Sequence, residues 1–406
     1  MTISLSIHPF PARMAPEIAL EAIERLPRGA SVLDPMAGSG TVLRTAINSG
    51  HPAIGYDVDP LAVLMSRVWV TPVDTDRIRA IARKTAVQAE DIDPDNVSLP
   101  WIDGDYETME FIRFWYDTPQ INDLRRISWI LAKRHDAVGN ALRVAMSRLI
   151  IQKKRGASLA GDVSHSRPHR IRTTNDFDVI SEFVRSSDLV AKRLEQDKPA
   201  QKAVVKIGDA RRMTQLKDAS VDAIVSSPPY LNAIDYLRGH KMSLVWIGYR
   251  ISELRRIRAK SVGAQRALDP QADSDIVKDI VASYCEISSL PSRKLAMIVR
   301  YAYDVNSIIG EANRVLRPGG IAVYVVGNSC LGDVRIDNDN IVINAARRYG
   351  WRLVERYERE LLKSKRYMPP PNKSQLTPIN QRMGTECIVT FRKPKPHSKY
   401  VKTKFQ

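Results

Sequence analysis

An α/β fold with a doubly wound, mostly parallel sheet and an inserted helical subdomain is what this sequence predicts. Three features predict it: a strand, glycine turn, helix, strand and acid in succession over residues 31–69; a long helical, basic stretch where the next strand is due; and buried-strand patterning that returns at residue 203.

The elements follow in order. Residues 16–26 space Ile18, Ala19, Ala22, Ile23 and Leu26 as one face of a helix, with Pro16 suited to its first turn. Pro27-Arg28-Gly29 ends it. Ser31-Val32-Leu33 starts a strand that runs into Asp34-Pro35-Met36-Ala37-Gly38-Ser39-Gly40-Thr41, and a helix resumes at Thr41. Ala53 to Tyr56 is a second strand with Asp57 at its tip, and Pro60 opens a helix through Trp69. From about Thr75 to Lys202 the pattern is helical and basic, with Leu142, Met146 and Leu149 on one apolar face. So much helix between strands reads as an insertion. Strands return at Ala203 to Ile207 and Val221 to Val225; a helical stretch, 236–311, leads through the Arg317-Pro318-Gly319-Gly320 turn to an apolar strand, Ile321 to Val326. Ile341 to Ala346 is helical, and Trp351 to Tyr357 with Glu386 to Phe391 make two closing strands, one strand near the sheet edge being antiparallel. The domain reading is therefore a discontinuous catalytic domain, 1–74 and 203–392, a recognition insertion, 75–202, and a loose basic tail, 393–406.

Composition narrows the partners. With 62 Lys and Arg against 45 Asp and Glu the net charge is +17, which favours a polyanion. No run is long and apolar enough for a membrane span and the first residues lack a signal-peptide pattern, so a cytoplasmic protein is expected. Cys285, Cys330 and Cys387 are isolated, and His165 and His169 have no suitably spaced partners; neither a disulfide framework nor a metal site is expected.

Two stretches carry chemistry. Gly38 and Gly40, directly after a strand, let the chain bend sharply and a ligand approach the backbone, while the helix from Thr41 aims free N–H groups at that ligand. The spacing is neither the dinucleotide fingerprint nor a P-loop. Asp57 is placed to accept hydrogen bonds from ribose hydroxyls, with Asp59 as the competing candidate or an N-cap for the Pro60 helix. The second stretch is Ser227-Pro228-Pro229-Tyr230 at the end of a buried strand. Prolines fix the turn and donate no N–H, so carbonyls near Pro228 are left as acceptors for a planar amine, and Tyr230 offers a flat face for a base drawn out of its stack.

Taken together, Asp34 to Thr41, Gly55-Tyr56-Asp57, Gly208-Asp209-Ala210 and Ser227 to Tyr230, in that order, resemble the motif set of the S-adenosylmethionine-dependent DNA amino-methyltransferases, the N4-cytosine and N6-adenine enzymes. Phe10-Pro11-Ala12-Arg13 is similar to the family's Phe-Pro-Ala-Lys element, which closes over the methionine end of the cofactor. The resemblance covers roughly the sheet domain and implies a Rossmann-like class I methyltransferase fold with a seven-stranded sheet. It also implies a pocket for S-adenosylmethionine made by Phe10, Asp34, Pro35, Ala37, Gly38, Ser39, Gly40, Thr41, Asp57 and Asp209, with Asp209 reaching the adenine amine or else capping a turn. Ser227, Pro228, Pro229 and Tyr230 are then the catalytic set. An exocyclic amine is a poor nucleophile because its lone pair is delocalised into the ring; acceptors for its two hydrogens favour a pyramidal nitrogen, so transfer needs positioning and oriented dipoles rather than a strong base. No Pro-Cys dipeptide is present for carbon-5 chemistry, which needs a thiolate. Ser at the first motif position is, by resemblance, commoner among N4-cytosine enzymes, so cytosine N4 is placed ahead of adenine N6. An RNA amino-methyltransferase or a catalytically silent binding protein are the alternatives. Double-stranded DNA is the expected partner, with a cognate restriction endonuclease as a further one. Arg155, Arg167, His169, Arg170 and Arg172 in one loop, and Lys363, Lys365, Arg366 and Tyr367 in another, are candidate nucleic-acid contacts, or a solvated basic surface.

Overall fold

Apolar runs that end in glycine, proline or an acid become strands of one sheet. The structure, a computed structural model, describes residues 6–9, 14–152, 155–161, 169–199, 201–231, 235–262, 280, 291–331, 334–360 and 385–395. In chain order its helices and strands are α1 Pro16–Glu24, β1 Val32–Asp34, α2 Thr41–Asn48, β2 Ala53–Asp57, α3 Pro60–Trp69, α4 Thr75–Asp91, α5 Pro100–Asp103, α6 Tyr106–Trp115, α7 Thr118–Ala132, α8 Ala137–Ile150, α9 Val179–Gln196, β3 Val204–Ile207, β4 Val221–Ser226, α10 Tyr236–Leu244, α11 Ile251–Ala259, α12 Ser292–Val315, β5 Leu316–Gly327, β6 Ser329–Leu331, β7 Val334–Ile336, α13 Asn338–Arg348, β8 Arg352–Glu360 and β9 Thr385–Arg392.

Seven strands form the sheet in the order β3-β2-β1-β4-β5-β9-β8, and β6 pairs with β7 in a separate ribbon. Pairing is parallel from β3 through β5, and β9 runs antiparallel to both β5 and β8. This is a Rossmann-like, doubly wound arrangement, with its one reversed strand next to the edge. The order turns back between β1 and β4, and the crevice above strand C-termini at such a switch point is where open α/β sheets bind ligands.

Alternation along the strands sends side chains to two cores. Leu33, Ile224 and Tyr324 pack with Ile298, Tyr301 and Ala302 of α12 and Ile341 of α13. Val32, Val225 and Val323 pack with Ile18 and Ile23 of α1 and Val42 and Leu43 of α2. A third core joins Ile78, Leu124, Leu142 and Phe183 of the helices between β2 and β3 to Met65 and Trp69 of α3 and to Leu237 and Trp246. Hence α3, wedged between sheet and helices, buries every position except Arg67. Trp69→Ala there costs roughly 3–5 kcal/mol. Those helices start where aspartate supplies a cap: the side chains of Asp74, Asp105, Asp117, Asp136 and Asp178 each accept a backbone N–H from the first turn that follows.

Two local readings change. Arg317 to Gly320 is not a turn ahead of the strand but an irregularity within β5, whose register with β4 passes from Val221↔Leu316 to Ala223↔Ile321. Gly319, at φ +80°, takes the excursion that an L side chain would resist. Lys393, which composition assigns to a loose tail, continues the pairing: its N–H donates to Gly320 O at 3.0 Å and its carbonyl accepts from Gly319 N at 2.9 Å. Residues 396–406 lie outside the described residues.

Candidate active site

The glycine loop is held by hydrogen bonds with three elements, β2, α3 and β4. Asp34, buried at the tip of β1, accepts from Ser226 Oγ at 2.7 Å and from Met36 N at 3.2 Å. Burial pushes its carboxyl up to about 7, against the pull of those two hydrogen bonds. Gly38 and Gly40 have φ of +49° and +89°, and a Cβ on Gly40 would stand 3.0 Å from Ser66 Cα, so glycine is required there twice over. Ser66 Oγ donates to Gly38 O at 2.7 Å and fixes the loop from below. Ser39 Oγ and Thr41 Oγ1 are buried without a hydrogen-bond partner, beside the first turn of α2, which has no side-chain cap. Unpaired hydroxyls and amides at one spot suit a polar ligand.

The aspartate that ends β2 and the one two positions on divide their work. Asp57 Oδ2 accepts from Gly38 N at 2.8 Å and Oδ1 from Asp59 N at 2.9 Å, tying the β2 tip to the glycine loop. Burial and then the Asp59 charge push it up to about 6. Asp59 is the cap: it accepts from Leu61 N at 2.9 Å and pairs with Nδ1 of His240 on α10. Asp209 sits beyond β3 with both carboxylate oxygens engaged by Arg211, at 2.9 Å from Nε and 2.6 Å from Nη2, and accepts the Arg211 N–H at 3.0 Å. Burial alone would raise its carboxyl, but Arg211 outweighs that and holds it below its ordinary value. The guanidinium is anchored in turn on the fully buried Asp304 at 2.6 Å.

At the neighbouring tip, Ser226 links β4 to Asp34, and Ser227 Oγ donates to Val325 O at 3.1 Å while standing 3.5 Å from Tyr230 Oη. That donation leaves the serine oxygen's lone pairs free to accept. Pro228 is buried; Ser227, Pro229 and Tyr230 are partly exposed. Burial raises the Tyr230 hydroxyl well above its usual value, so it stays protonated. Its ring rests on Gly327, where a Cβ would come within 2.6 Å of Cε2. The Gly327 carbonyl is held by the wholly buried Asn338, through Nδ2 at 2.7 Å. Asp34, Pro35, Ala37, Gly38, Ser39, Gly40, Thr41 and Asp57, expected from the sequence to face a cofactor, and the Ser227 to Tyr230 turn thus share the β1, β2 and β4 rim, with Asp209 at the end of β3.

Phe10 and Pro11 to Arg13 lie outside the described residues, but the chain just before them is clasped by the helices between β2 and β3. Arg148 Nη1 donates to Ile7 O at 2.6 Å and Arg193 to Ser6 O. His8 beside them is buried, with neither ring nitrogen partnered, and desolvation, then Arg148, hold it neutral. Of the basic loop, Arg155 pairs with Asp176, Arg170 lies over the Phe114 ring, His169 is exposed, and Arg172 accepts from Arg170 Nε through its carbonyl at 3.2 Å. Arg167, Lys363, Lys365, Arg366 and Tyr367 lie outside the described residues. Among the described residues no cluster of three or more His, Cys, Asp or Glu could hold a metal, and no helix is long and apolar enough to cross a membrane.

Sequence reasoning missed Arg211, Gly327, Asn338 and the Arg148–Arg193 clasp. A signal existed for two of them: Arg211 follows Asp209 by two positions, and Gly327 ends an apolar run as Gly38 follows one.

No family model matches the chain. It is 21% identical over 374 residues to the type II methyltransferase M.MvaI of Kocuria varians, a match covering 84% of this chain and 80% of that protein. It is also 24% identical over 197 residues to the type II methyltransferase M.AvaI of a Nostoc species, covering 43% of this chain and 38% of that one. Among solved structures, a TehB-like SAM-dependent methyltransferase from Corynebacterium glutamicum aligns over 94% of this chain and 89% of its own, at 12% identity and a TM-score of 0.30.

Proposed function

We propose, on the premise that this chain is a relative of the type II methyltransferases, that it transfers a methyl group from S-adenosylmethionine to an exocyclic amine of a DNA base drawn out of the duplex. Cytosine N4 is preferred to adenine N6 because the motif begins with Ser227. The observation that carries the reading is the 2.7 Å bond from Ser226 to Asp34, which joins the Pro-Pro-Tyr turn to the glycine loop.

The residues present fit the cofactor. Two carboxyls, Asp34 and Asp57, are pushed up by burial, and the Ser39 and Thr41 hydroxyls are unpaired, so polar groups of the loop await a polar, cationic ligand. When bound, S-adenosylmethionine supplies a methyl group on a sulfonium, already an excellent leaving group. The loop from Asp34 to Thr41, with Asp57, holds the donor, and α2 offers its uncapped N–H groups. Asp209 contributes to the far end of this pocket only through a carboxylate already shared with Arg211.

On the other side Ser227 Oγ, which donates a hydrogen bond to Val325 O, accepts one hydrogen of the target amine and the Pro228 carbonyl accepts the other. As the nitrogen takes the methyl group and the methyl–sulfur bond breaks, the surplus amine proton leaves to solvent past the partly exposed turn. Tyr230 stacks on the extruded ring. Because the hydroxyl of Tyr230 stays protonated it serves as a flat face and hydrogen-bond donor, not as a base. The helices of 75–202, with Arg155, Arg167, His169, Arg170 and Arg172, hold the duplex, joined by Lys363, Lys365, Arg366 and Tyr367.

Incubating the protein with methyl-labelled cofactor and either DNA or total RNA tests this. Label is expected in DNA, and Ser227→Ala is expected to lower the rate about 10- to 100-fold at unchanged cofactor affinity. Label in RNA alone would overturn the DNA reading, and label in neither, with the cofactor bound, would leave a silent binding protein.

A further inference from the structure

Residues 157–161 and 169–171 run antiparallel as a short ribbon: Ala160 bridges Arg170, Gly161 N donates to His169 O at 3.2 Å, and Ile171 N donates to Leu159 O at 3.0 Å. The foot of the ribbon is fixed to two helices. Ala157 N and Ser158 N donate to Leu149 O and Ile150 O of α8, and Leu159 N donates to Trp115 O at the end of α6 at 2.8 Å. Ala157, Ser158, Leu159 and Ala160 are all buried. A ribbon so anchored presents its outer side chains rigidly.

Those side chains are of a kind that water does not favour. Ile171 is 56% exposed, and Phe114, in the last turn of α6, is 51% exposed. The Arg170 guanidinium stands 5.3 Å from the Phe114 ring centroid, and Phe114 packs edge-on against Trp115 at 5.0 Å. Three acids in this part of the molecule are paired, Glu110 with Arg113 at 3.0 Å, Glu107 with Arg255, and Asp176 with Arg155, while Asp117 accepts the backbone N–H groups of Thr118 and Asn175. α6 in turn packs on α11, and α10 and α11 are the helices that follow the Pro-Pro-Tyr turn in the chain. Lys241 of α10 lies 5.1 Å from the Phe111 ring centroid, and Ile251 N donates to Thr108 Oγ1 at 3.0 Å.

We propose that Phe114 and Ile171, with Arg170, form an apolar wedge that this ribbon sets against the DNA duplex beside the base being methylated. The inference rests on the function proposed above. Extruding a base leaves an unstacked step, and proteins that kink or open DNA fill such steps with large apolar side chains. Two-stranded ribbons fit a groove, and a cation held on an aromatic face meets the phosphates. A partner protein would be matched by the apolar pair alone; a chain carrying +17 overall, with Arg170 held on the patch itself, matches a polyanion.

Equilibrium binding of a cognate duplex to the full chain tests the wedge, with Phe114→Ala, Ile171→Ser and Arg170→Ala compared with the parent. Each apolar variant is expected to weaken binding about tenfold without changing the salt dependence, because stacking and burial release no counterions. Arg170→Ala is expected to reduce the slope of log affinity against log salt by about one phosphate contact. Against a duplex with an abasic target position, which is already unstacked, the apolar losses shrink. Melting temperature and cofactor affinity serve as folding controls, both expected to match the parent because the side chains are exposed. Affinities within twofold of the parent in both apolar variants, while the parent methylates DNA, would overturn the wedge and leave the function standing. A parent that labels RNA and not DNA would overturn both.

Discussion

At the scale of single residues, Gly327 matters for what it lacks. A Cβ there would press into Tyr230 at 2.6 Å from Cε2 and 2.9 Å from Cδ2, and Asn338 holds the Gly327 backbone so that it cannot yield. Gly327→Ala is therefore expected to tilt the ring and lower kcat at least tenfold while cofactor affinity stays at the parent level. In a Tyr230→Ala background the same change should cost nothing more; additive losses in that double-mutant cycle would contradict a role exerted through the ring. Asp34 gives a second residue-scale prediction. An unfolded aspartate ionises near 3.9, while in the fold Asp34, facing Asp57, Tyr324 and Ser226, ionises near about 7. Between those values the unfolded chain has lost a proton that the folded chain keeps, so this contribution is full below about pH 4 and is lost as pH rises toward 7. The loss is on the order of 4 kcal/mol. Asp34→Asn keeps an acceptor for Ser226 without the charge, so it should melt higher than the parent at pH 8 and close to it at pH 4. Equal melting at pH 8 would contradict the assignment.

At the scale of elements, α8 and α9 reach across to the segment that precedes Phe10. Arg148 and Arg193 hold carbonyls of Ile7 and Ser6, so helices from the middle of the sequence fix the chain just ahead of Phe10. Arg148→Met keeps the stem and removes the charged hydrogen bond, a loss of about 1.5–3 kcal/mol where such bonds are buried and less here because Arg148 is partly exposed. Cofactor affinity is expected to fall several-fold, measured by calorimetry, with methyl transfer at saturating cofactor near the parent level. The elements themselves were legible where burial writes a simple pattern. β1, β2 and β4 read as apolar runs ended by Asp34, Asp57 and the two prolines, and Leu142, Met146 and Leu149 marked the buried face of α8. The Arg317 to Gly320 excursion misread because glycine and proline signal a turn whether it lies between elements or within a strand.

At the scale of the whole molecule, what stayed illegible is what depends on long-range contact. Asp209 is expected from the sequence to reach an adenine amine or to cap a turn, and its local partner Arg211 is two positions away, but the buried Asp304 that locks Arg211 lies 93 residues on. Gly327 and Tyr230 are likewise brought together only by the parallel pairing of β4 with β5. By contrast the +17 charge was plain from composition, and it carries its own prediction. Affinity for DNA should fall steeply as salt is raised, by about 10³-fold or more from 50 to 200 mM if six or more phosphates are contacted. A flat profile would count against a basic DNA clamp. The central claim is that a methyl donor at the glycine loop and an extruded base at Ser227 to Tyr230 meet on one rim. Mass spectrometry of the nucleosides from DNA treated with protein and S-adenosylmethionine tests it most directly. The expected result is a methylated exocyclic amine, N4-methylcytosine first; a methyl group on a ring carbon, or no methylated base while the cofactor is bound, would contradict it.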